Sequence, residues 1–155
     1  MISHLNKKNK PTIVDISKKN QTKRTAIAQG IIKFSKQTFK KIQSLKTKKG
    51  EITNTAIIAG ILGAKKTSEI IPLSHNILIE NIDIDIRSIS KNNSLIVTCN
   101  VKSSGKTGVE MEALTGVATT CLTIYDMCKN IDKKIVINNI QLLEKKGGKS
   151  DFSSF

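Results

Sequence analysis

Four charged side chains stand at the two ends of one predicted helix: Glu110 and Glu112 at its start, Asp126 and Lys129 near its close. Carboxylates and amines are the groups that move protons and hold phosphates. Thr107 followed three residues later by Glu110 reads as a capping box, which gives Glu110 a structural reason to be there. Glu112 has no such reason. Both lie where a helix N-terminus offers N–H groups to an anion. Asp126 and Lys129 are three apart and share a face; they read either as an ordinary surface ion pair, worth about 0.3–0.5 kcal/mol, or as a couple with chemistry to do. Glu110 and Asp126 are sixteen positions apart, roughly 24 Å along a helix at about 1.5 Å per residue. A small substrate does not easily touch both ends. If both ends carry chemistry, two copies of the chain contribute to each site.

Two further residues attract notice. Lys49 sits in a basic, glycine-containing stretch, Lys46-Thr47-Lys48-Lys49-Gly50, read as a loop at a helix start. A lysine there can pair a phosphate or, once desolvated, exchange protons; composition does not separate Lys49 from Lys46 or Lys48, and a solvated loop charge is the alternative. His75 is one of two histidines, the other being His4 near the N-terminus. It follows Pro72-Leu73-Ser74 between a helix and a strand, where loops carry function, although a lone histidine also serves as a structural hydrogen-bonder. No second histidine or C-x-x-C motif accompanies it, so no metal site is expected. The glycine-rich phosphate-binding and dinucleotide signatures and the nucleophile elbow are absent from the sequence.

The elements that must position these residues follow from periodicity. Thr25 to Phe34 reads as a strand, and Ser35 caps a short helix to about Leu45. A second helix runs from about Glu51 to Ile70 and is stopped by Pro72. It carries Ala56, Ala59, Gly60, Gly63 and Ala64 on one face, small enough for another backbone to approach, either within the chain or from a second subunit. Ile77–Ile89 and a strand through Leu95, Val97, Cys99 and Val101 alternate in hydropathy, joined by a turn at Lys91-Asn92-Asn93-Ser94. The long helix spans about Val109–Asn130, with Leu114, Val117, Ala118, Cys121, Leu122, Tyr125 and Cys128 as its apolar face. A last strand holds Ile135 to Leu142. The order is β, two helices, β, β, α, β: an α+β, ferredoxin-like split βαβ sheet with one extra helix. Residues 1–11 are expected to be a flexible basic tail, 12–146 a single domain, and 147–155 a flexible C-terminal tail.

The chain of 155 residues has 26 basic and 12 acidic side chains, a net charge of +14. That favours a polyanionic partner such as a phosphorylated small molecule or nucleic acid, although the richness in Lys, Ile and Asn also permits a merely biased composition. Three unpaired cysteines and no secretory signal suggest a cytoplasmic protein, and the longest apolar run, 57–64, is too short to span a membrane. A ferredoxin-like sheet that binds single-stranded RNA needs exposed aromatic residues for base stacking. Here there are one Tyr and four Phe, so a non-catalytic RNA-binding module is the rival reading and lacks its platform.

Several segments together resemble the cyclic pyranopterin monophosphate synthase family of molybdenum-cofactor biosynthesis. They are Val14-Asp15-Ile16-Ser17 with Lys19, Thr22 and Arg24; Lys49-Gly50-Glu51; Ala59-Gly60-Ile61; Ala64-Lys65-Lys66-Thr67; Ile71-Pro72-Leu73-Ser74-His75; Gly105 to Thr115; Leu122 to Lys129; and Lys145 with Gly147-Gly148-Lys149-Ser150. They follow family order over about residues 12–150. The resemblance implies a homohexamer, a trimer of dimers, with active sites between subunits. It implies a lyase that converts the cyclised dihydroguanosine triphosphate made from GTP into cyclic pyranopterin monophosphate, releasing pyrophosphate. It makes Asp126, Lys49 and Lys129 catalytic, and Leu73, Ser74, His75, Met111, Glu112, Glu110, Arg24 and Lys145 substrate-binding. No cofactor is required on this reading, and magnesium with the substrate triphosphate stays open; neither nucleic acid nor membrane is a partner. The chain departs from the family pattern at Ser74 and Asn76, where Cys and Pro are usual, at Glu51, where Asp is usual, and after Ser150, where a glycine is expected.

Overall fold

A computed structural model describes residues 4–44 and 46–154, with only the backbone described at residue 44 and at 46–51. Its elements are β1 (Thr22–Lys33), α1 (Lys36–Ser44), α2 (Lys46–Lys65), α3 (Thr67–Ile70), β2 (Asn81–Ile89), β3 (Ser94–Gly105), α4 (Glu110–Cys128), β4 (Val136–Lys146) and β5 (Phe152–Ser153). The sheet order is β2-β3-β1-β4-β5, and every pairing is antiparallel. With β3 between β1 and β2, and β1 between β3 and β4, both crossovers are split βαβ units, so the ferredoxin-like expectation holds.

The helices cover one face of the sheet. Ala26, Ala28, Gly30 and Ile32 of β1 and Val97, Cys99 and Val101 of β3 alternate inward and are buried under α4. At Gly30 α4 comes so close that an added Cβ would stand 2.6 Å from Val117 Cγ1. The small residues of α2 do a similar service toward α4. A Cβ on Gly60 would overlap the Thr120 hydroxyl and stand 3.0 Å from the Gly116 carbonyl, and one on Gly63 would overlap Thr119. Ala56 and Ala64 are buried beside them. The small-residue face is thus used within the chain, for the α2–α4 contact.

Ser35 caps α1 as expected: the Thr38 N–H donates to its Oγ at 3.3 Å. Asp132, just after α4, ties that junction down by accepting from the Ser35 N–H at 2.9 Å and the Lys134 N–H at 2.8 Å. The turn between β2 and β3 places Asn93 at φ 50°, a conformation that asparagine tolerates.

Several expectations are corrected. The backbone of Lys46–Gly50 is the first turn of α2, not a loop; lysine is a good helix former, and one glycine does not stop a helix that packing supports. The second helix breaks at Lys66 into α2 and α3. No capping box exists: α4 begins at Glu110, Val109 is its N-cap residue, and no side chain caps it. The buried face of α4 is Ala113, Gly116, Val117, Thr120, Cys121, Ile124 and Cys128, while Leu122 is 60% exposed. The C-terminal segment carries β5, which pairs with β4. Before Thr12, the chain folds back on itself through a Leu5–Pro11 bridge and a Thr12 N–H to His4 carbonyl bond of 3.0 Å.

Candidate active site

The ends of β1, β3 and β4 converge where β3 turns into α4, at Gly105–Val109. Arg24 on β1 donates from Nε to the Gly105 carbonyl at 3.4 Å. Lys145 sits next to β1 in the β4 register, opposite Ala26, and its Nζ reaches Glu110 Oε1 at 3.1 Å. Glu110 thereby spends its carboxylate on a neighbouring strand, and that carboxylate lies over Gly108, where an added Cβ would push it aside. Lys106 Nζ donates to the Ser17 carbonyl at 2.9 Å, drawing the segment before β1 against the same corner.

Two cavities meet at this corner and share Thr107, Gly108 and Glu110 as a common wall. The first, about 520 Å³, is lined by Lys19, Arg24, Lys106, Lys145, Lys146 and Lys149, with Glu110 as its one acid. Thr22 Oγ1 donates to the Gly147 carbonyl at 2.7 Å, and the Gly147 N–H donates to Asp151 at 2.9 Å. These bonds fold the Gly147-Gly148-Lys149-Ser150 turn over this cavity. Gly147 has φ +87°, a conformation open to glycine. Six cations around one space of this size, Lys146 among them paired with Glu144 at 2.7 Å, are suited to holding a polyphosphate.

The second cavity, about 820 Å³, is lined on one side by Pro72, Leu73, Ser74, His75 and Ile77 and on another by Met111 and Glu112. The loop exists because Pro72 ends α3: Ile71 takes an extended conformation before it, and the Ser74 N–H turns back to the Ile71 carbonyl at 3.0 Å. Apolar faces with a few polar groups are what a flat heterocycle needs. Glu112 is 3% exposed, and its Oε2 has no hydrogen-bond partner among the described residues. Burial pushes its carboxyl up to about 7; the backbone N–H of Glu112 itself pulls the other way, and the Glu110 carboxylate adds to the rise. A carboxyl near 7 is suited to exchanging protons at neutral pH. His75 Nε2 is likewise buried without a partner among the described residues. Of the residues expected in the site, Leu73, Ser74, His75, Met111, Glu112, Glu110, Arg24 and Lys145 come together around these two cavities.

Asp126 and Lys129 do not join them. They lie at the other end of α4, exposed, with Lys129 Nζ 2.6 Å from Asp126 Oδ1. The hydrogen bond to Asp126, then its charge, raises the Lys129 pKa. Lys49 is in the first turn of α2, and its side chain falls outside the described residues. Sequence reasoning passed over Lys106, Lys146 and His4 as cavity residues. The run Lys145-Lys146-Gly147-Gly148-Lys149 was the available signal for a basic wall. Among the described residues, no three His, Cys, Asp or Glu side chains are grouped to hold a metal ion.

The MoaC family matches residues 13–148. The chain belongs to this family. A relative from Helicobacter hepaticus is 54% identical over 149 residues, 96% of this chain and 94% of its own length. One from Clostridium botulinum is 50% identical over 148 residues (96% and 93%), and one from Clostridium acetobutylicum 46% over 150 (97% and 93%). All three are named cyclic pyranopterin monophosphate synthase. Membership covers both cavities nearly whole. It leaves outside the match only the tip of the glycine turn and the residues before Ile13, among them His4 and Pro11.

Proposed function

We propose that this chain is a cyclic pyranopterin monophosphate synthase, a lyase of molybdenum-cofactor biosynthesis that converts cyclised dihydroguanosine triphosphate into cyclic pyranopterin monophosphate and releases pyrophosphate. One observation supports this above the rest: a basic cavity of polyphosphate size opens beside an apolar one with polar edges, and the two share a wall. The triphosphate lies among Arg24, Lys106, Lys145 and Lys149, whose charge favours pyrophosphate as it departs. The guanine-derived rings lie against Leu73 and Met111, with His75 and Glu112 at their edges. Glu112, close to half-ionised at neutral pH, can give or take a proton as the purine ring is opened and rebuilt.

Asp126, Lys129 and Lys49 complete the site from a second copy of the chain, in a hexamer built as a trimer of dimers that acts in the cytoplasm. Support for a second copy comes from α4. Its two charged ends are sixteen residues apart, roughly 24 Å at about 1.5 Å per residue, so one chain does not bring both to one ligand. The face of the sheet away from the helices also carries half-buried Ile27, Ile31 and Ile96, and buried Thr98 and Asn100 oxygens without partners among the described residues. Three free, buried cysteines suit a reducing compartment. No cofactor of the protein's own is needed; magnesium would enter only with the triphosphate, as part of the substrate. The RNA-binding rival is not favoured. Phe34 and Phe39 are core residues with ring centroids 6.4 Å apart, Tyr125 is on α4, and among the described residues only Phe152, on the two-residue edge strand β5, puts an exposed ring on the sheet, which is too little for a stacking platform.

The test is incubation of the purified chain with cyclised dihydroguanosine triphosphate, reading pyrophosphate and pterin fluorescence. Both should appear together. A folded protein that yields neither refutes the proposal.

A further inference from the structure

The lining of the larger cavity includes a third residue with a buried polar atom that has no hydrogen-bond partner among the described residues. Beside Glu112 Oε2 and His75 Nε2 stands His4 Nδ1. Buried polar atoms are nearly always hydrogen-bonded. Three residues that carry such an atom line one cavity, which is the arrangement of a ligand site. Glu112 and His75 belong to the loop and helix already described, but His4 comes from a separate segment.

That segment is built to hold its position. Asn6 Oδ1 accepts from the N–H groups of Lys8 (2.8 Å) and Lys10 (3.1 Å), and the Asn6 N–H donates to the Lys10 carbonyl (2.9 Å). The Thr12 N–H closes the loop on the His4 carbonyl, and Leu5 bridges Pro11. Pro11 and His4 both reach the cavity wall. His4 itself has φ 67°, uncommon for a residue with a side chain. Such conformations persist where the surroundings impose them, and they gather at ligand clamps.

We propose that His4 is a substrate-contacting residue: its imidazole hydrogen-bonds the polar edge of the guanine-derived heterocycle, and the loop from His4 to Thr12 is one wall of the site. This rests on the function proposed above and extends it to a part of the chain outside the family match. The phosphates do not need His4, because it lines the apolar cavity and not the basic one.

The experiment compares H4A, H4G and K8A with the unaltered full-length chain, measuring pyrophosphate release, melting temperature and inhibition by inorganic tripolyphosphate. Glycine prefers positive φ, so H4G preserves or improves the turn while deleting the imidazole. H4A and H4G should each lower kcat/KM about tenfold, the loss of one good hydrogen bond. Melting temperature and tripolyphosphate inhibition should stay where they were, and K8A, on the same loop with its side chain in solvent, should match the unaltered protein. H4G at full activity beside an impaired H4A would assign His4 to the turn alone and overturn the proposal. So would unchanged activity in both, a collapse of melting temperature in H4G, or tripolyphosphate inhibition weakening in step with turnover. If the unaltered chain itself releases no pyrophosphate, the proposed function falls and His4 with it. If it turns over and the His4 variants match it, only this proposal falls.

Discussion

Glu112 offers a test in which stability and function move in opposite directions. Its carboxyl is buried in the folded chain with one oxygen unpartnered, and its pKa rises from 4.5 to about 7. In the unfolded chain it titrates near the lower value. Between those two pH values the folded state therefore holds more protons than the unfolded one. Stability falls as pH rises through this window, is unaffected by the group well below 4.5, and carries the full cost above 7. The shift, at about 1.4 kcal/mol per unit, amounts to roughly 3 kcal/mol. Glu112→Gln has nearly the same shape and no charge at any pH. Whatever its buried amide gains or loses in hydrogen bonding relative to the acid, that offset is the same at every pH. The quantity to read is thus the melting-temperature difference between variant and parent, measured at intervals from pH 5 to pH 8. It should move in favour of the variant as pH rises, by roughly 6–12 °C across the window for a chain of this size. Over the same range the variant should lose at least about tenfold in turnover if Glu112 exchanges a proton with the substrate. A melting-temperature difference that is flat with pH would show that Glu112 is not held in a raised state, and the proton-exchange role would go with it.

Other perturbations probe the remaining parts. Asp126→Asn and Lys129→Met break an exposed pair, so each should leave the melting temperature almost unmoved while lowering turnover on the order of a hundredfold; pyrophosphate release near the parent rate in both would remove the far end of α4 from the site. Mixing inactive Glu112→Ala and Asp126→Ala chains should restore partial activity, because different copies supply the two residues to each site, and light scattering that finds only monomer at micromolar concentration would contradict a shared site. Lys145→Met, which keeps the apolar stem and frees Glu110 in a cavity wall, should raise KM and flatten its salt dependence, read by initial rates from low to high ionic strength. Gly60→Ala should cost about 1–3 kcal/mol in urea unfolding, because the added methyl meets Thr120 and the Gly116 carbonyl, neither of which can move without separating α2 from α4.

The parts of this fold that were legible in the sequence are those set by local chemistry. Alternation marked β2 and β3, Ser35 marked the start of α1, Asn93 marked the hairpin, and Pro72 marked the end of α3. What was misread depended on distant partners. Thr107 and Glu110 have the spacing of a capping box, but Glu110 is drawn to Lys145, thirty-five positions away, and no window of local sequence contains that attraction. The apolar face of α4 was drawn as one stripe and is in fact two. Val117 and Cys121 press on Gly30 of the sheet, and Gly116 and Thr120 press on Gly60 of α2. A helix wedged between a sheet and another helix buries small and polar residues on its second side, so glycine and threonine there carry packing that hydropathy does not record.

The same long-range logic governs the site. Eight of the expected residues gather because the ends of β1, β3 and β4, the loop after α3 and the start of α4 all reach one corner of the sheet. Asp126 and Lys129 are kept from that corner by the length of the helix that carries Glu110 and Glu112: α4 is continuous from Glu110 to Cys128, and its middle is packed against both sheet and α2. A conformational change within one chain that brought the two ends together would have to break the helix where it is most tightly packed. A second copy of the chain needs only to place its own far end beside the first chain's corner, at no cost to either core. On the function proposed above, site residues at both ends of one continuous helix call for an assembly in which each subunit supplies half of two sites, and chemistry should then appear only at protein concentrations where that assembly forms.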